Sequence, residues 1–207
     1  MYAKYTKRLL DIILAICLLI GAWPFMIIAA IAIKIENPSG PVLFKQERLG
    51  KDGKVFKVCK FRTMIPNAIE VGTGIRTQEG DNRITKVGSF MRKTSIDEIP
   101  QVFNVLAGDM SFIGPRPPLT YHPYTYENYS DEQRLRFRIR PGITGLAQMK
   151  YRNSVPWDDR IVEDVKYVRN MSFKLDVQIF FGTIGTVLLS KNIYPTAVQQ
   201  QEENNSL

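Results

Sequence analysis

Hydrophobic and polar positions divide the chain into a long apolar opening and a more mixed remainder. From Leu9 to Ile33 one charge, Asp11, interrupts an otherwise apolar run. A straight helix over that run is longer than the roughly 30 Å hydrocarbon core of a bilayer. The break Asn37-Pro38-Ser39-Gly40-Pro41 ends it. Val42 to Arg48 and Val55 to Arg62 then show partial alternation around Gly50-Lys51-Asp52-Gly53, a hairpin signal. Pro66 to Asn82 is polar and glycine-containing and reads as a mobile loop. Ile84 to Lys93 reads as a turn leading into a short helix. Ile99, Val102, Phe103 and Leu106 recur at helical spacing, Gly108 closes the run, and Ser95 stands where a helix would begin. Ser130 to Arg140 reads as a basic helix stopped by Pro141-Gly142, and Asp158 to Asn170 as a charged helix. Phe173 to Leu189 reads as a second largely apolar helix, suited to the core or to a membrane interface. Gln199 to Leu207 is polar and expected to be disordered.

The apolar opening is not a simple span. Pro24, after Gly21-Ala22-Trp23, is expected to kink the helix. Lys4, Lys7 and Arg8 precede the run, and Lys34, Lys45 and Arg48 follow it, so the positive-inside rule asks for both ends on the cytoplasmic side. A re-entrant hairpin meets both conditions better than a single pass. A signal peptide is the rival reading, but the apolar stretch is too long for one and carries a proline. A buried core helix is a third reading, opposed by the length and near absence of charge.

The whole chain of 207 residues carries a net charge of +8 and has a sequence pI near 9.5. That balance asks for an anionic partner: nucleic acid, a membrane surface or a phosphorylated substrate. The only cysteines, Cys17 and Cys59, fall in the apolar run and in a predicted strand, so no disulfide is expected. The single histidine, His122, sits in a Pro/Tyr-rich loop and reads as a solvated residue. On the hairpin, Lys45, Arg48, Lys57, Lys60 and Arg62 face either phosphates and headgroups or plain solvent.

Candidate chemistry concentrates at Asp97-Glu98. Arg92 and Lys93 precede the pair, and a helix start there would supply free N–H groups and positive potential. Ser95-x-x-Glu98 is also a capping-box pattern, with Asp97 favouring the helix dipole. Two carboxylates at such a place bind a metal, attack phosphorus or only cap, and the residues alone leave all three open. Gly114-Pro115-Arg116-Pro117-Pro118 fixes the backbone around one guanidinium, which suits phosphate binding. A surface arginine on a polyproline turn is the plain alternative.

Taken together, these motifs resemble the monotopic phosphoglycosyl transferases, the bacterial sugar transferase family. The residues that carry the resemblance are Lys7-Arg8 with Asp11, Lys60-Phe61-Arg62-Thr63-Met64, Asp97-Glu98-Ile99-Pro100-Gln101, Asn104-Val105-Leu106 and Gly108-Asp109-Met110-Ser111. Gly114-Pro115-Arg116-Pro117, Arg140-Pro141-Gly142-Ile143-Thr144-Gly145, and Asp164 with Tyr167 complete the set. It extends from Lys7 to about Leu189 and looks like the family's minimal catalytic unit.

The resemblance implies an α+β, mainly helical fold: a re-entrant membrane helix over residues 1–36, then a β-hairpin and a compact helical catalytic domain with membrane-interface helices over 37–195. A disordered tail, 196–207, follows. It implies transfer of a phospho-sugar from a UDP-sugar to undecaprenyl phosphate at the cytoplasmic face of the bacterial inner membrane, with UMP released. Asp97 takes the nucleophile's place, forming a phosphoglycosyl-aspartate, and Glu98 that of the Mg²⁺ ligand. Arg92, Arg116, Lys60 and Arg62 are the candidates for substrate phosphate, and Arg140, Gly142, Thr144, Gln148, Arg152 and Asp164 for the substrate loop. The expected partners are the two substrates and the inner leaflet, with no nucleic acid and with a homodimer left open. Two departures matter: Trp23-Pro24 stands where many members have Ser-Pro, and Met149-Lys150-Tyr151 replaces a small polar pair, so Lys150 and Tyr151 are candidates for altering sugar selectivity. The rival functions are a membrane-anchored basic lipid- or nucleic-acid-binding protein and an interfacial phosphohydrolase.

Overall fold

A computed structural model describes residues 2–71, 74, 77, 80–151 and 154–188. The expected tail 196–207, the domain limit at 195 and the candidate Arg152 lie outside the described residues. The fold is mainly helical, with one short antiparallel hairpin and an N-terminal apolar helix.

That helix, α1, is Lys7–Glu36, and Pro24 lies inside it. Its buried residues are Lys7, Asp11, Ala15, Ala22, Ala29 and Ile33. At 100° per residue these positions fall in a stripe about 80° wide. Ala15, with Leu18 and Leu19 beside it, packs on Val58, Val102, Val105 and Met110. Ala29 and Ile33 pack on Phe61 and Met91. The alanines let the rest of the protein approach the helix closely, while Ile20, Ile28 and Ile35 on other faces stay exposed.

Both ends of α1 are tied to the same body. At the start, Lys7 Nζ meets Asp176 Oδ2 at 2.6 Å, and Arg8 donates to the carbonyls of Val105 and Leu106. Asp11 accepts from Ser111 Oγ and the Phe112 N–H, both at 3.0 Å. At the far end, Glu36 accepts the N–H groups of Lys86 and Val87 at 2.6 and 2.9 Å, capping helix α2 (Lys86–Thr94).

The hairpin forms as its turn residues require. β1 (Leu43–Leu49) pairs antiparallel with β2 (Val55–Phe61), with Arg48 opposite Phe56 and Phe44 opposite Lys60. Asp52 and Gly53 take φ of 56° and 75° in the turn. The outer edge of β2 is covered by Asn104, whose amide accepts from the Cys59 N–H and donates to the Lys57 carbonyl. Asn104 belongs to α3 (Val102–Ala107).

A pairing that hydropathy does not reveal closes the domain. β3 (Ser111–Ile113) and β4 (Gly142–Thr144) lie parallel, Ser111 opposite Gly142. Strands this short carry no usable alternation. Gly114, Gly142 and Gly145 bring their backbones so close that a Cβ on any of them would strike another. The basic stretch after Ser130 is not one helix. It is α4 (Asp131–Arg134), with a capping box from Ser130 and Gln133, followed by the 3-10 turn Leu135–Arg138. Helices α5 (Leu146–Tyr151), α6 (Trp157–Asn170) and α7 (Phe173–Leu188) complete the chain. The expected mobile loop is anchored where it is described: Arg83, buried and paired with Asp81, donates to the carbonyls of Ala68, Val71 and Gly74.

Candidate active site

The Asp97-Glu98 pair is not at an α-helix start. Ser95 has φ 59°, in the left-handed region, and ends α2 rather than capping a new helix. Ile96–Gln101 is a 3-10 helix that carries both acids, with Pro100 inside it, and α3 follows. The expected capping box is therefore absent: Ser95 makes no side-chain cap bond. The acids are held instead by the packing of this 3-10 helix on strand β2 and α2.

Lys60, near the end of β2, donates to Glu98 Oε1 at 2.6 Å. Arg92, on α2, donates from Nε to Thr63 Oγ1 at 2.8 Å. The charges of Lys60 and Arg92 both favour the ionised form of Asp97. Burial, and then the Glu98 charge, nevertheless push the Asp97 carboxyl up to about 6. This is a carboxylate kept poorly hydrated beside a second one, an arrangement that favours reaction with, or binding of, a positive centre.

A second cationic group adjoins it, and it includes Arg48, which the sequence left open between phosphate and plain solvent. Arg48 Nη1 donates to the Pro117 carbonyl at 3.1 Å and Nη2 to Gln46 Oε1 at 2.6 Å. Burial, then the neighbouring Arg116 charge, lower the Arg48 guanidinium to about 10, while Glu98 acts the other way. The signal was available: a hairpin closed at Asp52-Gly53 puts Arg48 on the same sheet face as Gln46 and Lys60.

The remaining candidates are distributed elsewhere. Arg62 is buried and spends its two Nη groups on the carbonyls of Ser39 and Asn37 (the latter at 2.7 Å), clasping the segment that leaves α1. Asp164 is fully buried. It meets Arg136 Nη2 at 2.6 Å, and that nitrogen also donates to the Arg116 carbonyl at 2.8 Å. Burial pushes Asp164 up to about 6 against the pull of Arg136. The Arg136 guanidinium lies 5.3, 5.7 and 5.9 Å from the ring centres of Phe137, Trp157 and Tyr129. Asp164 thus supports the Arg116 loop from beneath.

Arg140 Nε donates to the Gly108 carbonyl, and Gly142 is part of the glycine contact described above. Thr144 Oγ1 meets Thr183 Oγ1 at 2.8 Å, and Gln148 Nε2 donates to the Ile143 carbonyl. Gly142 joins β4 to β3, and Thr144 joins β4 to α7. Lys150 donates to Glu163 at 2.7 Å, which turns it toward α6. His122 packs edge-to-face on Trp157.

No cluster of three or more His, Cys, Asp or Glu side chains able to hold a metal ion occurs among the described residues. Two adjacent, partly buried carboxylates still suit Mg²⁺, which usually takes one or two protein carboxylates and completes its shell with substrate phosphates and water. The donor set fits a site finished by the substrate, not a closed protein cage.

Residues 2–190 match the family described as bacterial sugar transferase. Over 198 residues the chain is 40% identical to a UDP-glucose:undecaprenyl-phosphate glucose-1-phosphate transferase of Xanthomonas campestris pv. campestris, covering 93% of this chain and 41% of the relative. A protein of the same name from Caulobacter vibrioides is 41% identical, covering 91% of this chain and 72% of the relative. A UDP-N-acetylgalactosamine-undecaprenyl-phosphate N-acetylgalactosaminephosphotransferase of Aeromonas hydrophila is 42% identical, covering 89% and 44%. The chain therefore spans less than half the length of two of these three relatives.

Proposed function

We propose that this chain, which belongs to the bacterial sugar transferase family, moves a sugar phosphate from a UDP-sugar to undecaprenyl phosphate and releases UMP. The observation that carries this reading is Asp97, poorly hydrated beside Glu98 and attended by Lys60 and Arg92. An Asp97 carboxylate oxygen attacks the phosphorus that bears the sugar. The bond from that phosphorus to the bridging oxygen breaks, and UMP leaves with the electron pair. An oxygen of the lipid phosphate then attacks the same phosphorus, and Asp97 departs as a free carboxylate. Splitting the transfer this way keeps two bulky anions from having to meet in one step. Lys60 and Arg92 supply positive charge where phosphoryl charge builds up. Glu98 would hold Mg²⁺, which when bound neutralises phosphate charge and favours departure of the nucleotide.

The membrane is the second part of the proposal. α1 is long and apolar enough to cross a bilayer. Its two ends are joined to one folded body through Lys7–Asp176 and Glu36–Lys86, which supports entry and exit on the same face. The cytoplasmic face of the inner membrane is the face on which positive flanks are retained. The acceptor phosphate lies at headgroup level, and a re-entrant α1 keeps the Asp97 site there. The relatives named above act on different sugars, so the sugar is left to experiment.

The test is UMP release from a panel of UDP-sugars by the full chain in lipid nanodiscs, with and without undecaprenyl phosphate. The wild type is expected to turn over one or more of them only with the acceptor, and to gain one sugar-phosphate by intact mass when the acceptor is withheld. Asp97→Asn is expected to lose both activities. Full turnover by Asp97→Asn would end the nucleophile assignment, and multiple turnovers without acceptor would make the protein a phosphohydrolase.

A further inference from the structure

The geometry points to Arg48 as a substrate-binding residue that shares with Arg116 a seat for a second phosphate, the one next to the phosphorus that Asp97 attacks. The inference rests on the phosphotransfer reading above and deepens it.

The first support is how Arg48 is held. Its strand runs beside the proline loop: the Leu49 N–H donates to the Pro118 carbonyl at 3.0 Å, and Arg48 forms a bridge with Leu119. This brings Arg48 against the backbone at Pro117, one residue from Arg116. Its two Nη groups bond a carbonyl and an amide oxygen, both neutral. Such contacts fix the fork without cancelling its charge.

The second support is the state of Arg116. Among the described residues its guanidinium has no hydrogen-bond or ion-pair partner. Its carbonyl accepts from the buried Arg136, and prolines flank it on both sides, so its backbone is fixed while its side chain stays available. Two like charges are thus kept side by side in a half-buried place. Neither forms an ion pair among the described residues, and their mutual repulsion is relieved by a bound anion. Arg62 is the contrast: it is buried on backbone carbonyls alone.

The third support is order. Lys60, which meets Glu98 at 2.6 Å, and Arg48 lie on one face of the hairpin, and Arg48 reaches from there to the Pro117 carbonyl beside Arg116. The cations therefore form two tiers, one at the acid pair and one at the proline loop. A diphosphate ester has the same two-tier form. Lys60 and Arg92 attend the sugar-bearing phosphate, and Arg48 and Arg116 attend its neighbour. In the first displacement that neighbour is the phosphate of UMP. In the second it is the phosphate of the incoming lipid, which approaches the phosphorus from the same side that UMP left. One seat then serves both half-reactions.

UMP is the probe that isolates this seat, because it lacks the transferred phosphate, and uridine lacks both. Binding of each to the full chain in nanodiscs is measured by calorimetry for wild type, Arg48→Met and Arg48→Lys. Arg48→Met is expected to weaken UMP by about tenfold or more, as loss of a charge-assisted bond implies, and Arg48→Lys by less. Uridine binding should be the same in all three, a result that general damage to the fold would not give. In turnover, Arg48→Lys should raise KM for both the UDP-sugar and the lipid phosphate. Arg48→Lys keeps the charge and the stem, so it carries the test if the methionine variant fails to fold. UMP affinity within twofold of wild type in the variants, alongside normal wild-type transfer, overturns the inference alone. A wild type that neither transfers nor binds UMP overturns the phosphotransfer reading beneath it.

Discussion

Lys60 and Glu98 stand 38 residues apart in sequence and meet at 2.6 Å, joining the β-hairpin to the 3-10 helix that carries Asp97. Each side chain is 23% exposed, so the pair is partly solvated. Such a contact contributes about 1 kcal/mol or less to stability. The Lys60 charge also favours the ionised form of Asp97. Lys60→Met should therefore change the denaturant midpoint little, yet lower UMP release about 100-fold. Equal losses of stability and turnover would reduce Lys60 to a scaffold residue.

Asp97 provides a pH prediction. Its carboxyl is raised from 3.8 to about 6, so the folded chain binds this proton more tightly than the unfolded one. Stability from this group is therefore greatest at low pH and declines as pH rises from about 4 to about 6, a slope that Asp97→Asn should remove. In metal-free protein, carboxyl-carbon NMR should place the Asp97 midpoint near 6. Saturating Mg²⁺ should move that midpoint down, because a cation favours the ionised form. A midpoint near 4 without metal contradicts the environment described for this residue.

The Arg136–Asp164 pair tests the support beneath Arg116. Its side chains are 0% and 1% exposed. Asp164→Asn leaves a buried guanidinium poorly compensated and should destabilise the protein by about 3–5 kcal/mol. Arg136→Met combined with Asp164→Leu should recover most of that loss, since two apolar groups replace two desolvated charges. Turnover should stay low in the double variant, because the Arg116 carbonyl has lost its donor. Chemical denaturation and UMP release separate the two effects.

The faces of α1 should respond differently to substitution. Ala15→Leu forces a larger side chain against Val58, Val102 and Met110, and should destabilise the fold by about 1–3 kcal/mol. Serine at the exposed Ile20, Phe25 and Ile28 together should leave the fold intact and weaken recovery of the protein with liposomes. With Cys17 replaced by Ser, cysteines at Thr6 and Lys51 should both resist an impermeant maleimide in whole cells and react after permeabilisation. Opposite behaviour at the two positions would exclude the re-entrant arrangement.

Much of the architecture is legible without coordinates where a local rule is sufficient. Asp52-Gly53 sets the hairpin register, the charged periodicity of residues 158–170 gives α6, and the apolar opening gives α1. The register also puts Arg48, already one of the hairpin's basic residues, on the same face as Lys60. Local rules failed at Ser95. A serine three residues before a glutamate describes a capping box equally well whether the backbone there is extended or left-handed, and here φ is 59°. They also failed at the β3–β4 pair, whose strands are three residues each and meet through glycine backbones with almost no side-chain pattern to read.

The sequence by itself determined the apolar opening helix, the paired acids at Asp97 and Glu98, and the supply of arginines around them, because periodicity, turn chemistry and charge are local properties. Only the tertiary structure decided what each polar group meets. Arg62 clasps Asn37 and Ser39, Asp164 holds Arg136, Lys150 turns to Glu163, and Arg48 stands beside Arg116. Hydropathy could not choose the packed face of α1 either, since that helix is apolar all round. Small side chains at Ala15, Ala22 and Ala29 mark the stripe where the rest of the protein can approach, and that closeness exists only after the chain has folded back on itself.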